Sequence, residues 1–222
     1  MIIAIDGPAG TGKSTVAKLL AKELGFIYLD TGAMYRACAL WGWRHNVDWN
    51  QPDELTRLVE SIPLKLENAS GAQKIFLENE DVSAAVRTPE VTAITRYAAN
   101  NPDVRAIMVK MQQEIGARQS LVAEGRDLGT VVFPQAELKI FLTAKPETRA
   151  RRRFDEMKSK NQPADYDAVL EAIILRDNLD ENRAVGPLKP APDAIFVPTD
   201  ALSINEVVEK LKTLAEEKIA NK

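Results

Sequence analysis

Residues 7–15 read Gly-Pro-Ala-Gly-Thr-Gly-Lys-Ser-Thr and fill the pattern G-x-x-x-x-G-K-[ST] completely. In such a loop, glycines let the backbone turn tightly and aim successive N–H groups at phosphate oxygens. The amine of Lys13 would add a point charge for the β- and γ-phosphates, and the hydroxyl of Ser14 could ligate Mg²⁺. The pattern predicts a nucleoside triphosphate site formed by Gly7, Pro8, Ala9, Gly10, Thr11, Gly12, Lys13, Ser14 and Thr15.

The segments on both sides of this loop have the patterns that the motif requires. Residues 2–5 are apolar and predict a buried strand, and Gly25 stands where a glycine commonly ends a helix. Between the loop and Gly25, apolar residues recur at helical spacing, at Val16, Ala17, Leu19, Leu20 and Leu24. A helix that begins at the loop would add the positive end of its dipole to a bound phosphate. This order favours a phosphate-binding unit over a glycine-rich turn without a ligand.

Arginines later in the chain could also act on phosphate. Arg149, Arg152 and Arg153 are spaced to share one face of a helix that begins at Pro146. One interpretation is a lid that delivers guanidinium groups to the transferring phosphoryl, whose charge lies on its equatorial oxygens. The alternative is a basic helix face in contact with solvent. On the first interpretation, Arg152 and Arg153 are candidate catalytic residues.

Two further groups of charged residues are candidates for a ligand site. Arg176, Asp180 and Arg183 form one helical stripe, which could meet sugar hydroxyls and phosphate or could hold only a weak surface ion pair. Arg126 and Asp127 directly follow a predicted buried strand at residues 121–123 and have glycines close by on both sides. For this pair the alternative is a structural turn with a local ion pair.

Composition limits the class of protein. The 222 residues include 29 basic and 32 acidic ones, a net charge of −3, so we expect neither nucleic acid nor a membrane as partner. The one cysteine, Cys38, excludes an internal disulfide and suits a reducing compartment. No leader and no apolar run of membrane-spanning length is recognisable in the sequence. We therefore expect a cytoplasmic protein, monomeric, that acts on small molecules.

Five short apolar segments alternate with helical patterns, at residues 2–5, 26–29, 121–123, 139–142 and 194–197. This alternation predicts a three-layer α/β/α fold with a five-stranded parallel sheet. In such sheets, ligands bind at the carboxyl ends of the strands. Asp30, residues 124–127 and Thr143 all follow predicted strands, so we expect several loops to assemble the site around Lys13.

One segment breaks this alternation. Residues 64–67, 74–77 and 81–82 have the pattern of short strands without intervening helices, which predicts an antiparallel insert. We divide the single domain, residues 1–222, into a core at about 1–62, 84–148 and 166–222, an insert at about 63–83 and a short helical lid at about 149–165.

Taken together, these motifs resemble the bacterial cytidylate kinases, within the nucleoside monophosphate kinase group of P-loop kinases. The resemblance covers essentially the whole chain. Its phosphate loop is shared with many kinases, whereas the stretch at residues 125–134 and the insert, which belongs to the acceptor-binding region, are characteristic of the family. The matching segments are residues 7–15, 30–36, 78–83, 86–88, 125–134 and 176–187.

This resemblance implies roles for individual side chains. Residues that would hold the phosphate of the acceptor are Thr31, Arg36, Arg126 and Arg183, and Arg126 would also act in catalysis with Lys13. Arg105 and Asp127 would face cytosine, while Arg176 and Asp180 would touch the pentose. A carboxylate at Asp127 suits cytosine, because it accepts from the exocyclic amine that uracil lacks.

The resemblance further implies an enzyme of pyrimidine nucleotide metabolism that phosphorylates CMP and dCMP, with ATP as phosphoryl donor and Mg²⁺ held by Ser14. The acceptor phosphate is already anionic, so the reaction needs no general base. Alternatives are a P-loop kinase for UMP, dTMP or a shikimate-like molecule, and a non-catalytic ATP-binding regulatory module. Among the departures from the family pattern, Arg96 stands where many relatives have a base-reading serine, so either Thr95 substitutes for that serine or the contact is lost.

Overall fold

The computed structural model describes residues 1–69 and 72–220. In chain order the strands are β1 (Ile2–Asp6), β2 (Ile27–Asp30), β3 (Leu64–Ala69), β4 (Ala72–Leu77), β5 (Glu80–Asp81), β6 (Leu121–Glu124), β7 (Leu138–Thr143) and β8 (Ile195–Pro198). The α-helices are α1 (Lys13–Leu24), α2 (Thr31–Arg44), α3 (Pro52–Glu60), α4 (Pro89–Ala99), α5 (Pro102–Gly116), α6 (Pro146–Ser159), α7 (Tyr166–Asn182) and α8 (Ile204–Ala220).

Five of these strands form the parallel sheet that the sequence predicts, in the order β2-β6-β1-β7-β8. The nearly uninterrupted apolar sequences of β1, β6 and β7 reflect burial on both faces. Their carboxyl ends are aligned, because Glu124 is the register partner of both Ile5 and Asp30. Polar residues at the strand ends therefore meet along one edge.

Helices cover both faces of the sheet. On one face, α1 and α8 bury Val16, Leu20, Val208 and Leu211 against β1 and β7. On the other face, α2 to α5 enclose a second core that includes Met108 and the leucines of the neighbouring helices. This arrangement confirms the predicted three-layer architecture.

A small antiparallel sheet, in the order β3-β4-β5, confirms the predicted insert. Ile75 and Leu77 of β4 pack with Ala37 and Leu40 of α2 in a third apolar cluster. The insert also reaches the sheet edge, because the side-chain oxygen of Gln73 accepts a hydrogen bond of 2.9 Å from the backbone N–H of Asp30. Two residues of the insert, Ser70 and Gly71, lie outside the described residues.

Side-chain caps begin several helices where the sequence places Asp, Thr or Asn. Asp30 accepts from the N–H of Ala33 at the start of α2, and Thr88 and Asn101 cap α4 and α5. A different element follows β6, at Leu128–Val132, where the sequence predicts no regular structure. The N–H of Val132 donates to the carbonyl of Asp127 at 3.3 Å, five residues back, which makes this segment a π-helical turn.

Within residues 1–69 and 72–220, no helix combines the length and the hydropathy that a bilayer crossing requires.

The close packing of the phosphate loop on β7 yields a stability prediction. Gly7 has φ +145°, and a Cβ atom there would overlap the backbone carbonyl oxygen of Leu142, whereas a Cβ at Gly12, φ +91°, meets open space. We expect Gly7→Ala to lower the free energy of unfolding by at least about 2 kcal/mol more than Gly12→Ala, since both carry backbone strain but only the first carries the overlap. Urea unfolding of both variants measures this difference. Equal losses would contradict it.

Candidate functional site

Residues 7–12 turn the chain from β1 into α1 at the carboxyl edge of the sheet. Gly7, Gly10 and Gly12 have φ of +145°, +80° and +91°, values that glycine adopts without steric cost. The amine of Lys13 folds back over the loop and donates to the carbonyl of Pro8 at 2.6 Å. The loop thus has the backbone shape and the buried ammonium of a phosphate cradle.

The ammonium of Lys13 has both cationic and anionic side chains close to it. Burial and the positive charge of Arg126 lower the pKa of Lys13, while Glu124 and Asp6 act in the opposite direction. Its side chain is only 5% exposed, so a nearby anion would strongly favour the charged form. Phosphate is the anion that such a loop accommodates.

A buried carboxylate faces the start of α1 from the end of β6. The hydroxyl of Ser14 donates to one oxygen of Glu124 at 2.8 Å, and the hydroxyl of Tyr28 donates to the other. Burial, with the neighbouring charge of Asp30, raises the pKa of Glu124. A hydroxyl beside a carboxylate is an oxygen donor set of the kind that Mg²⁺ prefers, so these residues fit that cation. The sequence predicts Ser14 as the Mg²⁺ ligand and places Glu124 at a strand end near Lys13, but no pattern in the sequence indicates its contact with Ser14.

A set of guanidinium groups lines the cleft beside the phosphate loop. Arg126 donates to the carboxylate of Asp180 on α7 at 2.8 Å, and Arg36 donates to the hydroxyl of Thr92 at 3.0 Å. Thr31 donates to the carbonyl of Glu124 at 2.7 Å. The alternative of an isolated ion pair within α7 therefore does not hold for Asp180, whose partner comes from the loop after β6.

These cations lie close enough to perturb one another. Arg176 is exposed on α7, and loss of hydration followed by the charge of Arg126 lowers its pKa; Arg36 contributes in the same direction. Desolvation also lowers the pKa of Arg36, with Arg87 and Arg126 adding to the effect. Positive charge is therefore concentrated at one place, which favours a polyanionic ligand.

Asp127 lies deeper, between two arginines from distant parts of the chain. Its carboxylate pairs with Arg105 of α5 and lies 3.4 Å from a guanidinium nitrogen of Arg183. Burial raises the pKa of Asp127, and both arginines oppose that shift. Gly186 passes directly over this pair, because a Cβ atom there would overlap Arg105 and Asp127. The alternative of a local ion pair between Arg126 and Asp127 is thus wrong, since each has another partner.

Three arginines that share a helix face in the sequence have different surroundings in the structure. Arg149 is buried, binds Asp177 of α7 through two hydrogen bonds of 2.6 and 3.0 Å, and donates to the loop carbonyl of Ala9. The alternative of a solvated basic face therefore does not hold for Arg149. Arg153 is half-exposed and pairs with Glu156.

The third of these arginines, Arg152, donates to the carbonyl and the hydroxyl of Thr199, just after β8. The hydroxyl of Thr199 in turn lies 3.3 Å from the carbonyl of Thr11 in the phosphate loop. Arg152 therefore reaches the loop through Thr199, a residue that carries no sequence signal beyond its position after a strand.

The fold and the cleft are those of a P-loop nucleotide kinase, with a phosphate loop facing clustered guanidinium groups. The chain belongs to the cytidylate kinase family, because the family model described as "Cytidylate kinase" matches residues 3–217.

Curated relatives agree over nearly the full length. The cytidylate kinase of Carboxydothermus hydrogenoformans is 47% identical over 95% of this chain and 95% of its own. The cytidylate kinase of Solibacter usitatus is 47% identical over 100% of this chain and 94% of its own, and that of Bacillus subtilis is 44% identical over 97% and 96%.

More distant solved structures share the fold. A shikimate kinase from Bacteroides thetaiotaomicron has a TM-score of 0.50 at 17% identity, covering 97% of this chain and 98% of that one. An uncharacterized protein from Eubacterium ventriosum has a TM-score of 0.53 at 12% identity, with 98% of each chain covered. At these identities the likeness concerns architecture alone.

The buried carboxylate of Asp6, beside the phosphate loop, gives a pH prediction. Burial raises the pKa of Asp6 to about 6 in the folded protein, above the unfolded value near 4. The stabilising contribution of Asp6 is therefore complete below pH 4, and it is lost as the pH rises through 6. Relative to Asp6→Asn, which does not titrate, the wild-type free energy of unfolding should fall by about 3 kcal/mol over this interval. Urea unfolding of both proteins at pH 4 to 7 measures this. A pH-independent difference would refute it.

Proposed function

We propose that this chain transfers the γ-phosphoryl group of ATP to CMP and dCMP, forming CDP and dCDP. The observation that carries the proposal is the concentration of Lys13, Arg36, Arg126 and Arg176 in one cleft, where desolvation and then neighbouring cations lower the pKa values of Lys13, Arg36 and Arg176. Two nucleotides whose phosphates meet in the cleft would neutralise this charge. Family membership identifies the acceptor as cytidylate.

The donor would bind with its phosphates in the loop at residues 7–15 and its γ-phosphate beside Lys13. Backbone N–H groups and the N-terminus of α1 supply fixed positive potential there. Ser14, with Glu124 behind it, would hold Mg²⁺ together with ATP. The cation would supply positive charge that neutralises the charge developing on the phosphates.

The acceptor would bind across the carboxyl ends of β2 and β6. Its phosphate would meet Thr31, Arg36, Arg126 and Arg183, and its pentose would meet Arg176 and Asp180. Arg105 and Asp127 would face the cytosine. A carboxylate offers about four acceptor positions, so Asp127 can bind two arginines and still accept from the exocyclic amine.

A phosphate acceptor also agrees with how the carboxylates near the loop are used. Asp6 accepts two backbone N–H groups, Asp30 binds Arg87 and caps α2, and Glu124 accepts two hydroxyls. In the described part of the chain, each carboxylate at this edge already has partners, whereas a hydroxyl acceptor would need a carboxylate free to take its proton. This favours CMP over a shikimate-like acceptor.

Catalysis would consist of positioning and charge neutralisation. The acceptor phosphate and the γ-phosphoryl group would be held in line, with Lys13 and Arg126 stabilising the transferring oxygens. We propose that residues 149–165 act as a lid, in which Arg152 and Arg153 approach the phosphoryl group and exclude water. Arg153 is free to reorient, because an exposed i,i+3 pair contributes only about 0.3 kcal/mol. The insert at residues 63–83 would complete the acceptor side, supported by the bond from Asp30 to Gln73.

For the remaining partners we propose a monomer acting on small molecules, with neither nucleic acid nor membrane bound. The net charge of −3 supports this. We also propose the cytoplasm as its location. Cys38 is a buried free thiol whose pKa burial raises to about 12, which suits a reducing compartment.

Release of ADP, measured with each acceptor in turn, tests the reaction. We expect turnover with CMP and dCMP, and at least about 100-fold lower kcat/KM with UMP, dTMP and shikimate, because uracil presents an oxygen to the buried carboxylate. Lys13→Ala should abolish transfer, with Lys22→Ala on the exposed face of α1 as matched control. Hydrolysis independent of CMP, or a preference for UMP, would overturn the proposal.

Asp127→Ala addresses base recognition separately. We expect it to lower kcat/KM for CMP about 100-fold and that for UMP much less, while the KM for ATP changes little, since the lost acceptor faces only the base. The surface variant Asp193→Asn is the control for loss of one negative charge. Equal losses for CMP and UMP would mean that Asp127 does not read the base.

A further inference from the structure

Asp6 is a buried carboxylate to which the proposed chemistry gives no role. It is the last residue of β1, directly before Gly7 of the phosphate loop, and is 4% exposed. A carboxylate in such a position needs partners that offset its lost hydration. Its partners come from the loop after β6, not from the phosphate loop.

Both oxygens of Asp6 accept backbone hydrogen bonds. The N–H of Leu128 donates to one oxygen at 3.0 Å, and the N–H of Gly129 donates to the other at 2.8 Å. These are the first two N–H groups of the π-helical turn Leu128–Val132, which have no partner within the turn itself. Asp6 therefore caps this turn from a neighbouring strand.

The residue that would ordinarily form this cap is Asp127. It occupies the N-cap position, where aspartate commonly accepts from the first N–H groups of its own helix. In this structure its side chain makes no such bond and is directed to Arg105 and Arg183 instead. Because Asp127 is turned away from the turn that it precedes, the first N–H groups of the turn need another acceptor.

We infer that Asp6 is a positioning residue for acceptor specificity, which caps the π-helical turn so that the carboxylate of Asp127 remains directed at the base. The inference rests on the proposed function of Asp127 as the group that reads cytosine. Without the external cap, two unpaired N–H groups would compete with Arg105 and Arg183 for the Asp127 carboxylate. The ratio of kcat/KM for CMP to that for UMP would then decrease.

The same residue connects the donor and acceptor sides. Asp6 lies opposite Phe141 of β7 in the sheet, and its backbone continues into Gly7. Its side chain reaches in the other direction, to the turn beyond β6. One residue thus joins the first position of the phosphate loop to the segment that orients the base-reading carboxylate.

Asp6 is in the accepting, ionised form at neutral pH even though its surroundings raise its pKa. Burial and the charge of Asp127 raise the pKa, while the two N–H bonds and the positive charge of Lys13 lower it. With a pKa of about 6, Asp6 is ionised at pH 7.5, where the assay below is made.

Asp6→Asn is the informative variant, because it keeps the size of the side chain but replaces one acceptor oxygen by an amide NH₂ group. That group cannot accept from the N–H that faces it. At pH 7.5 we expect the ratio of kcat/KM for CMP to that for UMP to fall about tenfold, the factor that corresponds to one hydrogen bond with a charged partner. The KM for ATP should change less than twofold. Asp193→Asn, which removes an exposed carboxylate paired with Lys139, serves as control.

The outcomes separate the inference from the proposed function. A variant that selects CMP as well as the wild type, or one that loses CMP and UMP turnover equally with a raised KM for ATP, would show that Asp6 only supports the phosphate loop. A wild-type protein that phosphorylates neither acceptor would refute the proposed function instead. If Asp6→Asn does not fold, amide hydrogen exchange of the wild type decides, since unprotected amides at Leu128 and Gly129 would also overturn the inference.

Discussion

The site depends on how charge is held at the carboxyl edge of the parallel sheet. Three carboxylates, Asp6, Asp30 and Glu124, end β1, β2 and β6 and are largely buried. Each accepts two hydrogen bonds: Asp6 from the turn after β6, Asp30 from Ala33 and Arg87, and Glu124 from Ser14 and Tyr28. Desolvation and then the cations beside them lower the pKa values of Lys13, Arg36 and Arg176, so a phosphate-bearing ligand would relieve their repulsion. The acidic strand ends and the neighbouring cations therefore lie side by side at this edge of the sheet.

Helix α7 supplies carboxylates to two arginines of other elements. Asp177 binds Arg149, which also holds the loop carbonyl of Ala9, and Asp180 one turn later binds Arg126 beside the acceptor region. Only Ile173 of this helix is fully buried, so α7 is held in place by these charged contacts more than by apolar packing.

Much of the fold could be predicted from the sequence, because its signals are local. The phosphate loop, the five apolar strands, the antiparallel insert and the capping residues Thr88 and Asn101 each lie within a few residues of the pattern that predicts them. The pairings in the site are not local. Arg105 with Asp127, Arg149 with Asp177 and Asp6 with the π-helical turn join segments far apart in sequence, and helical spacing shows only which residues share a face. Asp6 in particular has the pattern of an ordinary strand end.

The departure at Arg96 bears on the proposed recognition of the base. Arg96 is exposed near the end of α4, where its guanidinium lies 5.0 Å from the ring centre of Tyr97 and binds the tyrosine hydroxyl. It has no such contact with Arg105 or Asp127, whose carboxylate is buried and whose own partners are both cationic. We propose that discrimination among pyrimidines falls on Asp127, because a hydrogen bond to a buried charged group distinguishes ligands more strongly than an exposed contact. If Asp127 carries this specificity, its carboxylate must be held in one orientation. In this fold Asp6, at the end of the strand that leads into the phosphate loop, supplies the constraint by capping the turn after Asp127.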